Sequence, residues 1–443
     1  MNRAAVHVGI VGAGPSGCYV ADALGRKLPG ARIDIFDRLP TPFGLVRGGV
    51  APDHQGTKNI ARQFERALGK EGVRFLGNIA VGRDLSYDEL KAAYDVLVIA
   101  TGALEDRRLG IPGEELDAVY GSGQFVAWYN GIPGGRELAP KLDGKSVAII
   151  GNGNVALDIA RLLAKTADEL ATSDICAHAR ASFAAARIED IWLIGRRGPV
   201  EASFTTAELA EFGELSRVAI RVDAAQLPAA LPAELGEERK NLAEKNLEVL
   251  RGYARRGTQD ERPLRIHFAF NARPLAIEGK DRAERLVLER TRVEHGRAVP
   301  GGDSFAIPAD TVITAIGYRS TPFPGLPFDP ARGVVANAQG RVEAGVYTAG
   351  WCKRGPQGVI PANRADSLAV AELILADLAA GAPGAPGGKP GGALIDELLA
   401  TRNAQPVDFA GWQKINAVEV AAGHGRPREK LASTEELLAA ARA

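Results

Sequence analysis

The sequence predicts an α/β protein built from two doubly wound parallel sheets. The first observation is an apolar run that ends in a glycine-rich turn and continues into a helix of small residues, "VGIVGAGPSGCYVADAL" at residues 8–24. The second is the same pattern in "VAIIGNGNVALDIA" at residues 147–160. The third is the alternation of short apolar runs with amphipathic segments, which is typical of a parallel sheet covered by helices. We therefore expect two Rossmann-like domains.

Length and composition agree with this architecture. The chain has 443 residues, of which 46% are apolar, so two domains with sizeable cores are the default and three are possible. Lys and Arg together number 54, and so do Asp and Glu. Because no overall charge favours nucleic acid, we expect no nucleic-acid partner, and any charged partner has to be met by a local patch.

Cysteine usage and the length of apolar runs narrow the function further. Cys18, Cys176 and Cys352 lie far apart and form no CxxC pair. This pattern disfavours a dithiol redox centre, a thiolate zinc site and an iron–sulfur cluster within the chain, and we expect no metal site. Few cysteines fit a reducing compartment. No apolar run reaches the roughly 18 residues of a membrane span. The first strand begins close to Met1, so we expect a cytoplasmic protein without a targeting segment.

The first part of the chain predicts three strands and two helices. "HVGIVGAG" predicts a buried strand, and residues 15–28 predict the helix that follows it. "ARIDIFDR" predicts the next strand. Residues 56–71 predict one amphipathic helix with Ile60, Phe64 and Leu68 on its apolar face. "YDVLVIATGA", at residues 94–103, predicts a further buried strand that ends in glycine.

The second part repeats this alternation with different spacing. A new βαβ unit begins at Lys145, and "IEDIWLIGRR" at residues 188–197 predicts its second strand. Residues 233–255 predict an exposed helix that turns Leu242, Val249, Leu250 and Tyr253 inward. "ADTVITAIGYRS", at residues 309–320, closes the middle region. Residues 379–393 predict a mobile Gly/Pro loop, and a helical tail follows.

The first glycine turn predicts a dinucleotide site. Gly12 permits the tight turn, Gly14 lets the backbone approach a pyrophosphate, and Gly17 lets helix and strand pack closely. Asp37 ends the second strand, where a carboxylate accepts hydrogen bonds from ribose hydroxyls. Because a carboxylate at that point repels a 2′-phosphate, we expect FAD or NAD at this turn and not NADP.

The second glycine turn differs in its ribose-side residues. Gly151, Gly153 and Ala156 form the tolerated G-x-G-x-x-A variant. The next strand ends in Arg196 and Arg197, and a guanidinium pair supplies the fixed charge and bidentate geometry that a 2′-phosphate requires. The alternative is a solvated strand end. We interpret this turn as an NADP(H) site.

Two turns with unlike ribose partners indicate two different dinucleotides. The simplest pairing is a tightly held FAD with a diffusing NADP(H), and hydride then passes from nicotinamide to flavin. In this interpretation the protein brings the two rings together and shields them from water.

Four motifs resemble the adrenodoxin-reductase-like ferredoxin–NADP⁺ reductases. They are "PTPFGLVRGGVAPDH" at 40–54, "GNGNVALDIAR" at 151–161, "GRRGPVEASFTTAEL" at 195–209 and "GWCKRGPQGVI" at 350–360. The similarity runs through nearly the whole chain, including the tail motif "HGRPREKLAS". The resemblance implies an NADP domain inserted into an FAD domain. We expect the FAD domain at residues 1–104 and 321–443 and the NADP domain at residues 105–320.

The resemblance also implies a set of cofactor-binding residues. For FAD these are Gly12, Gly14, Ser16, Gly17, Asp37, Leu45, Val81, Trp351, Gly358, Val359 and Ile360. For NADP they are Arg107, Asn152, Gly153, Asn154, Val155, Arg196, Arg197, Glu208 and Gly358, which would lie near both rings. His54 and Glu211 match polar positions that the family keeps near the active site.

The chain departs from the family pattern at two of these places. The family usually has Glu at the ribose position, where this chain has the shorter Asp37, so a bridging water is expected there. Cys352 takes the place of a larger aliphatic residue beside Trp351, where it either fills space or offers an oxidisable thiol.

Several candidate residues have a structural alternative. His54 is a helix-cap or surface histidine, or it is the group that positions or supplies a proton during flavin reduction. Glu208 and Glu211 share one helix face and are either solvated or functional, and Thr205 and Thr206 mark the start of that helix. We expect Trp351 to pack on an aromatic ring.

A basic helix face is the candidate docking surface for an acidic ferredoxin. Lys240, Lys245, Arg251 and Arg255 lie along it, and the alternative is an ordinary solvated helix. We expect a monomeric enzyme that moves electrons between NADPH and a ferredoxin-type iron–sulfur protein, reversibly in chemical terms. The alternatives are an NADPH diaphorase, a thioredoxin-reductase-like flavoprotein, a module of a larger synthase complex, and a flavoprotein that only senses dinucleotides.

Overall fold

The computed structural model describes residues 5–232, 235–257, 259–381 and 388–443. Among these residues the strands are β1 (His7–Val11), β2 (Arg32–Phe36), β3 (Val73–Leu76), β4 (Val96–Ile99), β5 (Glu105–Asp106), β6 (Val119–Gly121), β7 (Ser146–Ile150), β8 (Asp190–Ile194), β9 (Val218–Val222), β10 (Leu264–Ala269), β11 (Ala272–Glu278), β12 (Arg285–Glu294), β13 (Arg297–Pro308), β14 (Thr311–Thr314), β15 (Tyr318–Arg319), β16 (Phe328–Asp329), β17 (Val334–Val335), β18 (Arg341–Glu343) and β19 (Val346–Thr348).

The helices in the same described ranges are α1 (Pro15–Lys27), α2 (Leu45–Gly48), α3 (Gln55–Lys58), α4 (Ala61–Leu68), α5 (Tyr87–Ala93), α6 (Ser122–Asn130), α7 (Asn154–Ala164), α8 (Ala177–Ala185), α9 (Thr206–Glu211), α10 (Glu237–Gly257), α11 (Trp351–Arg354), α12 (Ile360–Ala379), α13 (Gly392–Thr401), α14 (Phe409–Ala421) and α15 (Thr434–Arg442). No helix in the described part of the chain has both the length and the apolar character that crossing a bilayer requires.

The chain folds into two compact units. Unit 1 comprises Met1–Glu105, Asn130–Gly134 and Tyr318–Ala443, and unit 2 comprises Asp106–Tyr129 and Gly135–Gly317. Unit 2 is therefore inserted in the sequence of unit 1, which the chain leaves and then rejoins for its C-terminal helices.

Unit 1 is built on a six-stranded sheet with the order β18-β19-β4-β1-β2-β3. The strands from β19 to β3 run parallel, and β18 is antiparallel to β19. The central strands β1 and β4 are almost wholly buried, as expected for parallel strands covered on both faces. The strand order reverses between β1 and β4. Ligands of open α/β sheets bind at such a reversal, beyond the carboxyl ends of the strands.

Unit 2 repeats this plan with the order β6-β14-β7-β8-β10-β9, in which all neighbouring strands are parallel. Its reversal lies between β7 and β14. The fold class predicted from the sequence, with two Rossmann-like domains, is confirmed.

Unit 2 also contains an antiparallel sheet of β11, β12 and β13, which the sequence interpretation missed. Buried side chains of β12, among them Leu286 and Leu288, join Ala148 and Val312 of the parallel sheet in one apolar cluster. The turn between β12 and β13 consists of His295 and Gly296, with φ of 48° and 73°. Two successive positive φ values are characteristic of the tightest hairpin turns.

Two predicted helices differ from those in the structure. The single helix expected at 56–71 is divided into α3 and α4, because the amides of Ile60, Arg62 and Gln63 bond three residues back instead of four and tighten the chain there. The helix expected at 233–255 begins at Glu237 in the structure, and residues 233 and 234 lie outside the described residues. On this helix Leu250 and Tyr253 are buried as expected, whereas Leu242 and Val249 are only half-buried.

The predicted Gly/Pro loop falls between α12 and α13. Its residues 382–387 lie outside the described residues, so the mobility expected there stays a prediction. The helical tail is present as α13, α14 and α15.

Candidate cofactor-binding sites

The first glycine turn connects β1 to α1 at the reversal of the unit 1 sheet. Gly12 has a φ of 112°, and a Cβ on it would collide with the carbonyl oxygen of Ala100, which follows β4. A Cβ on Gly17 would collide with the carbonyl oxygen of Gly12. A Cβ on Gly14 would meet only the Cα of Gly44, at 3.9 Å. The backbone at Gly14 therefore has open space in front of it, as a pyrophosphate needs at a helix N-terminus.

Asp37 lies directly beyond β2, beside this turn. Its Oδ2 accepts a hydrogen bond from the amide of Ala13 at 3.0 Å, and its Oδ1 accepts one from the amide of Leu39 at 3.0 Å. Burial raises the pKa of this carboxyl, and the two amide hydrogen bonds act in the opposite direction. A carboxylate oxygen can accept more than one hydrogen bond, so both oxygens retain acceptor capacity for a ribose.

A strained segment lies against the same turn. Phe43 has a φ of 81°, which is costly for a bulky residue, and its amide donates to the carbonyl oxygen of Ala13 at 2.8 Å. A Cβ on Gly44 would lie only 3.0 Å from the Cα of Gly14. Leu45 begins α2 immediately afterwards and is half-buried. The predicted contact Val81 lies apart in sequence, in a bridge with Leu85, and is half-buried.

The segment from Gly350 to Ile360 reaches the first turn of α1. A Cβ on Gly350, where φ is 77°, would collide with the hydroxyl oxygen of Ser16. Asp366 on α12 fixes this segment, since its Oδ2 accepts from the Gly350 amide at 2.6 Å and its Oδ1 pairs with the Lys353 ammonium at 2.8 Å. Sequence reasoning missed Asp366, because it lies beyond the quoted motif.

Trp351 packs on an aromatic ring, as expected. Its ring lies 6.4 Å from that of Tyr318, at an interplanar angle of 22°. Its indole nitrogen donates to the carbonyl oxygen of Gly358 at 3.3 Å. Gly358 and Val359 are exposed, and Ile360 begins α12. Cys352 is buried, and its thiol contacts the carbonyl oxygens of Ile99 and Ala349 at 3.3 and 3.2 Å, which fits the space-filling interpretation.

The second glycine turn reproduces the geometry of the first within unit 2. Gly151 has a φ of 146°, and a Cβ on it would collide with the carbonyl oxygen of Ala315, which follows β14. Gly153 caps α7, whose first residues are Asn154 and Val155, and the buried Ala156 allows the helix to pack closely on β7. A helix of 11 residues thus presents its N-terminus at the sheet reversal.

Asn152 and Asn154 connect this turn to the segment at 203–205. The Asn152 carbonyl oxygen accepts from the amides of Ser203 and Phe204 at 2.8 and 3.1 Å. The Asn154 Oδ1 accepts from the Thr205 amide at 2.8 Å. The Asn152 Oδ1 is buried and has no hydrogen-bond partner, so the carboxamide retains a polar group for a ligand.

Arg196 and Arg197 follow β8 at the edge of the same site. Arg196 is exposed and Arg197 is half-buried. Sequence reasoning missed Arg239, whose guanidinium donates to the Ala202 carbonyl oxygen at 2.9 Å. Burial, and after it the like charge of Arg197, hold the pKa of Arg239 below its usual range. Arg107 is exposed, and its amide donates to the Gly317 carbonyl oxygen at 3.1 Å.

Glu208 and Glu211 lie on α9, which begins at the predicted place. The Thr205 hydroxyl caps the helix by accepting from the Glu208 amide. Both carboxylates pair with one guanidinium nitrogen of Arg161, at 3.0 and 2.9 Å, so they share a helix face as expected. The Arg161 side chain is 2% exposed and also pairs with Asp158 at 2.8 Å. Its burial could not be inferred from the sequence, because it depends on carboxylates from another helix.

His54 lies at the N-cap position of α3 and is half-buried. Its side chain makes no capping hydrogen bond, so the helix-cap alternative applies to its backbone and not to its imidazole.

Each site fits a dinucleotide on its own geometry. The first has an open backbone at Gly14 and a carboxylate, Asp37, directly beyond the second strand. The second has a buried carboxamide oxygen without a hydrogen-bond partner, on Asn152, and two arginines beyond its second strand. FAD satisfies the first set of groups and NADP(H) the second.

Comparison with known proteins shows which family this chain is similar to. A model described as "Pyridine nucleotide-disulphide oxidoreductase" matches residues 6–192. The chain is 40% identical to NADPH-ferredoxin reductase FprA of Mycobacterium tuberculosis, with 98% of each chain covered. It is also 40% identical to the mitochondrial NADPH:adrenodoxin oxidoreductase of Arabidopsis thaliana, over 98% of this chain and 95% of the relative.

One solved structure is similar to this chain over nearly its whole length. The Mycobacterium tuberculosis FprA complex with NADPH superposes with a TM-score of 0.93 at 38% identity, over 99% of this chain and 100% of the other.

Proposed function

The chain belongs to the family of NADPH-dependent ferredoxin and adrenodoxin reductases, and on this premise we propose how its own residues perform the reaction. The protein is an oxidoreductase that takes hydride from NADPH onto FAD and passes electrons singly to a ferredoxin-type iron–sulfur protein. The observation that carries the assignment of the two sites is the contrast between their ribose-side residues, Asp37 in unit 1 and Arg196 with Arg197 in unit 2.

The residues of unit 1 hold the flavin nucleotide. The amides that follow Gly14 face the pyrophosphate, with Ser16 beside them, and Asp37 binds the ribose. Leu45 and Val81 supply apolar contacts. Trp351 and the segment from Gly358 to Ile360 would hold the isoalloxazine end of the cofactor. When bound, the flavin supplies uptake of a hydride and release of electrons one at a time.

The residues of unit 2 hold NADP(H). The turn from Asn152 to Val155 binds the pyrophosphate, and Arg196 and Arg197 bind the 2′-phosphate. Arg107 and Glu208 complete the set proposed from the sequence within unit 2, and Gly358, the remaining residue of that set, belongs to unit 1. Pairing with Arg161 fixes the orientation of the Glu208 and Glu211 carboxylates, which supports a positioning role for both.

His54 is the proposed proton-handling residue, together with Glu211. A bound flavin would gain from a nearby proton donor when it takes up a hydride, and histidine is a residue type that commonly supplies or positions such a proton. No covalent intermediate with the protein is needed.

The proposed ferredoxin dock lies on α10. Lys240, Lys245 and Arg255 are exposed, which supports their availability. Arg251 donates to the Pro228 carbonyl oxygen at 2.6 Å, so part of its guanidinium is already engaged. The monomeric state and the cytoplasmic location stay predictions, and the plant relative is named as mitochondrial.

A diaphorase is the alternative activity, because the same two sites would also support the oxidation of NADPH by small-molecule electron acceptors. A disulfide reductase of the thioredoxin-reductase type is disfavoured, since the sequence has no CxxC. The discriminating experiment reduces the purified protein with NADPH and follows cytochrome c with and without a ferredoxin from the same genome. Reduction of cytochrome c that depends on ferredoxin supports the proposal. Equal rates without ferredoxin would favour the diaphorase.

A further inference from the structure

A second layer of contacts holds the arginine pair that follows β8, and Thr291 is at its centre. Thr291 lies on β12 of the antiparallel sheet and is 8% exposed. Its Oγ1 donates to the backbone carbonyl oxygen of Arg196 at 2.8 Å. The register between β12 and β13 shifts between Glu289 and Thr291, so Thr291 stands at an irregularity of the hairpin. Such irregularities commonly re-aim a side chain next to a functional site.

Asn271 extends this contact to the second arginine. Its amide donates to the Arg197 carbonyl oxygen at 3.0 Å, and its own carbonyl oxygen accepts from the Thr291 amide at 2.9 Å. Its φ of 52° lies in the left-handed region, which Asn tolerates better than most residues. Its Oδ1 is buried and has no hydrogen-bond partner. The backbone carbonyls of both arginines are therefore bonded to one linked pair of residues, Asn271 and Thr291.

The tip of the same hairpin reaches the side chain of Arg197. The Gly296 carbonyl oxygen, in the turn between β12 and β13, accepts from the Arg197 Nη1 at 3.4 Å. One hairpin thus forms hydrogen bonds with the backbone of Arg196 and with the guanidinium of Arg197.

We propose that Thr291, acting with Asn271, is a positioning residue that sets the preference for NADPH over NADH. It fixes the backbone from which both guanidinium groups project toward the 2′-phosphate. Bidentate recognition of a phosphate depends on a held geometry, and a misplacement of about 1 Å costs much of its benefit. This inference rests on the proposed assignment of Arg196 and Arg197 to that phosphate. The Thr291 hydroxyl bonds to a backbone carbonyl and not to the cofactor, so its loss changes cofactor affinity and leaves hydride transfer unaffected.

Thr291→Val tests the inference, because it removes the hydroxyl and keeps the side-chain shape. Reduction of ferricyanide by the holoenzyme is measured with NADPH and with NADH, and binding of 2′,5′-ADP is titrated. We expect the KM for NADPH and the Kd of 2′,5′-ADP to rise about fivefold, the worth of one neutral hydrogen bond. The KM for NADH and both kcat values stay within about twofold, which is the scatter of an uncoupled site. Thr291→Ser restores the hydroxyl and the preference. Thr291→Ala replaces the valine variant if that variant does not fold.

Thr311→Val is the matched control. Thr311 lies on β14 of the same unit, is 1% exposed, and donates through Oγ1 to the Lys141 carbonyl oxygen at 2.7 Å. The Thr311→Val variant loses a comparable hydrogen bond away from the arginines. Its ratio of kcat/KM for NADPH to kcat/KM for NADH should therefore equal that of the unaltered protein. A Thr291→Val ratio no different from that of Thr311→Val would overturn the inference.

The double variant Arg196→Ala with Arg197→Ala separates the two levels of the argument. If it loses the preference while Thr291→Val keeps it, the positioning inference alone is overturned. If the double variant keeps the preference, the arginine assignment is wrong and the inference is overturned with it.

Discussion

Arg47, in the segment beside the first glycine turn, and Glu419, on helix α14, form a buried bidentate ion pair. Their two nitrogen–oxygen distances are 2.7 and 2.5 Å, and their side chains are 8% and 0% exposed. Arg428 approaches the same carboxylate at 3.3 Å. The Trp412 ring, also on α14, lies edge-on to Phe43 at 5.5 Å. Helix α14 therefore contacts both Arg47 and the strained Phe43, whose amide bonds to the first glycine turn.

Removal of the Glu419 carboxylate should destabilise unit 1. Glu419→Ala removes the carboxylate that pairs with the buried Arg47 guanidinium, and breaking a buried ion pair on one side typically costs about 3–5 kcal/mol. Asp143→Ala is the control, because it breaks an Arg–carboxylate pair whose Asp143 side chain is 71% exposed and should cost at most about 1 kcal/mol. Denaturant unfolding measures both. An equal decrease in the free energy of unfolding for the two variants would contradict the importance of this buried pair.

The same pair predicts a dependence of stability on pH. Burial alone would raise the pKa of Glu419, but the charge and hydrogen bonds of Arg47, with Arg428 and the Leu431 amide, lower it below its usual range. A carboxyl whose folded pKa is depressed contributes stability above its unfolded pKa and loses that contribution as the pH falls toward the folded value. Glu419→Gln should therefore flatten the acid limb of the stability curve. An acid limb identical to that of the unaltered protein would contradict this.

Loss of Arg196 and Arg197 should weaken the binding of NADPH and leave that of NADH nearly unchanged. Arg196→Ala with Arg197→Ala removes two charge-assisted hydrogen bonds of about 1.5 kcal/mol each, so the KM for NADPH should rise about 100-fold. The KM for NADH should change little, since NADH has no 2′-phosphate. Steady-state kinetics with both cofactors measures this. A similar rise for both cofactors would remove the basis for the NADP(H) assignment.

Asp37→Ala should weaken retention of FAD. The variant loses the ribose-side carboxylate and also the acceptor of the Ala13 amide, which is part of the glycine turn. The ratio of flavin to protein after purification and dialysis measures the effect. Asp37→Glu, which restores the residue usual in the family, should retain FAD. An alanine variant that stays saturated with flavin would contradict the ribose role.

His54→Ala should slow flavin reduction about 100-fold, at the low end of what acid–base groups contribute. The flavin should stay bound, because His54 is proposed to handle a proton and not to hold FAD. Stopped-flow reduction by NADPH across a range of pH measures the rate and its profile. An unchanged rate and profile would mean that the histidine has only a structural role.

The glycine turns, and the polar residues beyond the second strand of each unit, were predictable because their signals are local in the sequence. Gly12 and Gly151 each need a positive φ next to a carbonyl of the neighbouring strand, and the motif encodes this need directly. Asp37 and Arg196 were identifiable because each comes shortly after the second strand of its own βαβ unit.

The remaining features depend on residues far apart in sequence. Phe43 has no local signal for a positive φ, and the contact with Trp412 that accompanies this conformation comes from the distant helix α14. The burial of Arg161 requires carboxylates from α9. The sheet of β11, β12 and β13 was missed because its β13, at Arg297–Pro308, is polar and glycine-containing and lacks a clear alternation.

Anaerobic reduction of the purified protein tests the central claim, which is that one chain binds two unlike dinucleotides and passes hydride between them. An equimolar amount of NADPH should bleach the bound flavin rapidly, NADH should do so far more slowly, and oxidised ferredoxin should then restore the yellow colour. A protein that purifies without flavin, or a bound flavin that NADPH leaves oxidised, would contradict the account.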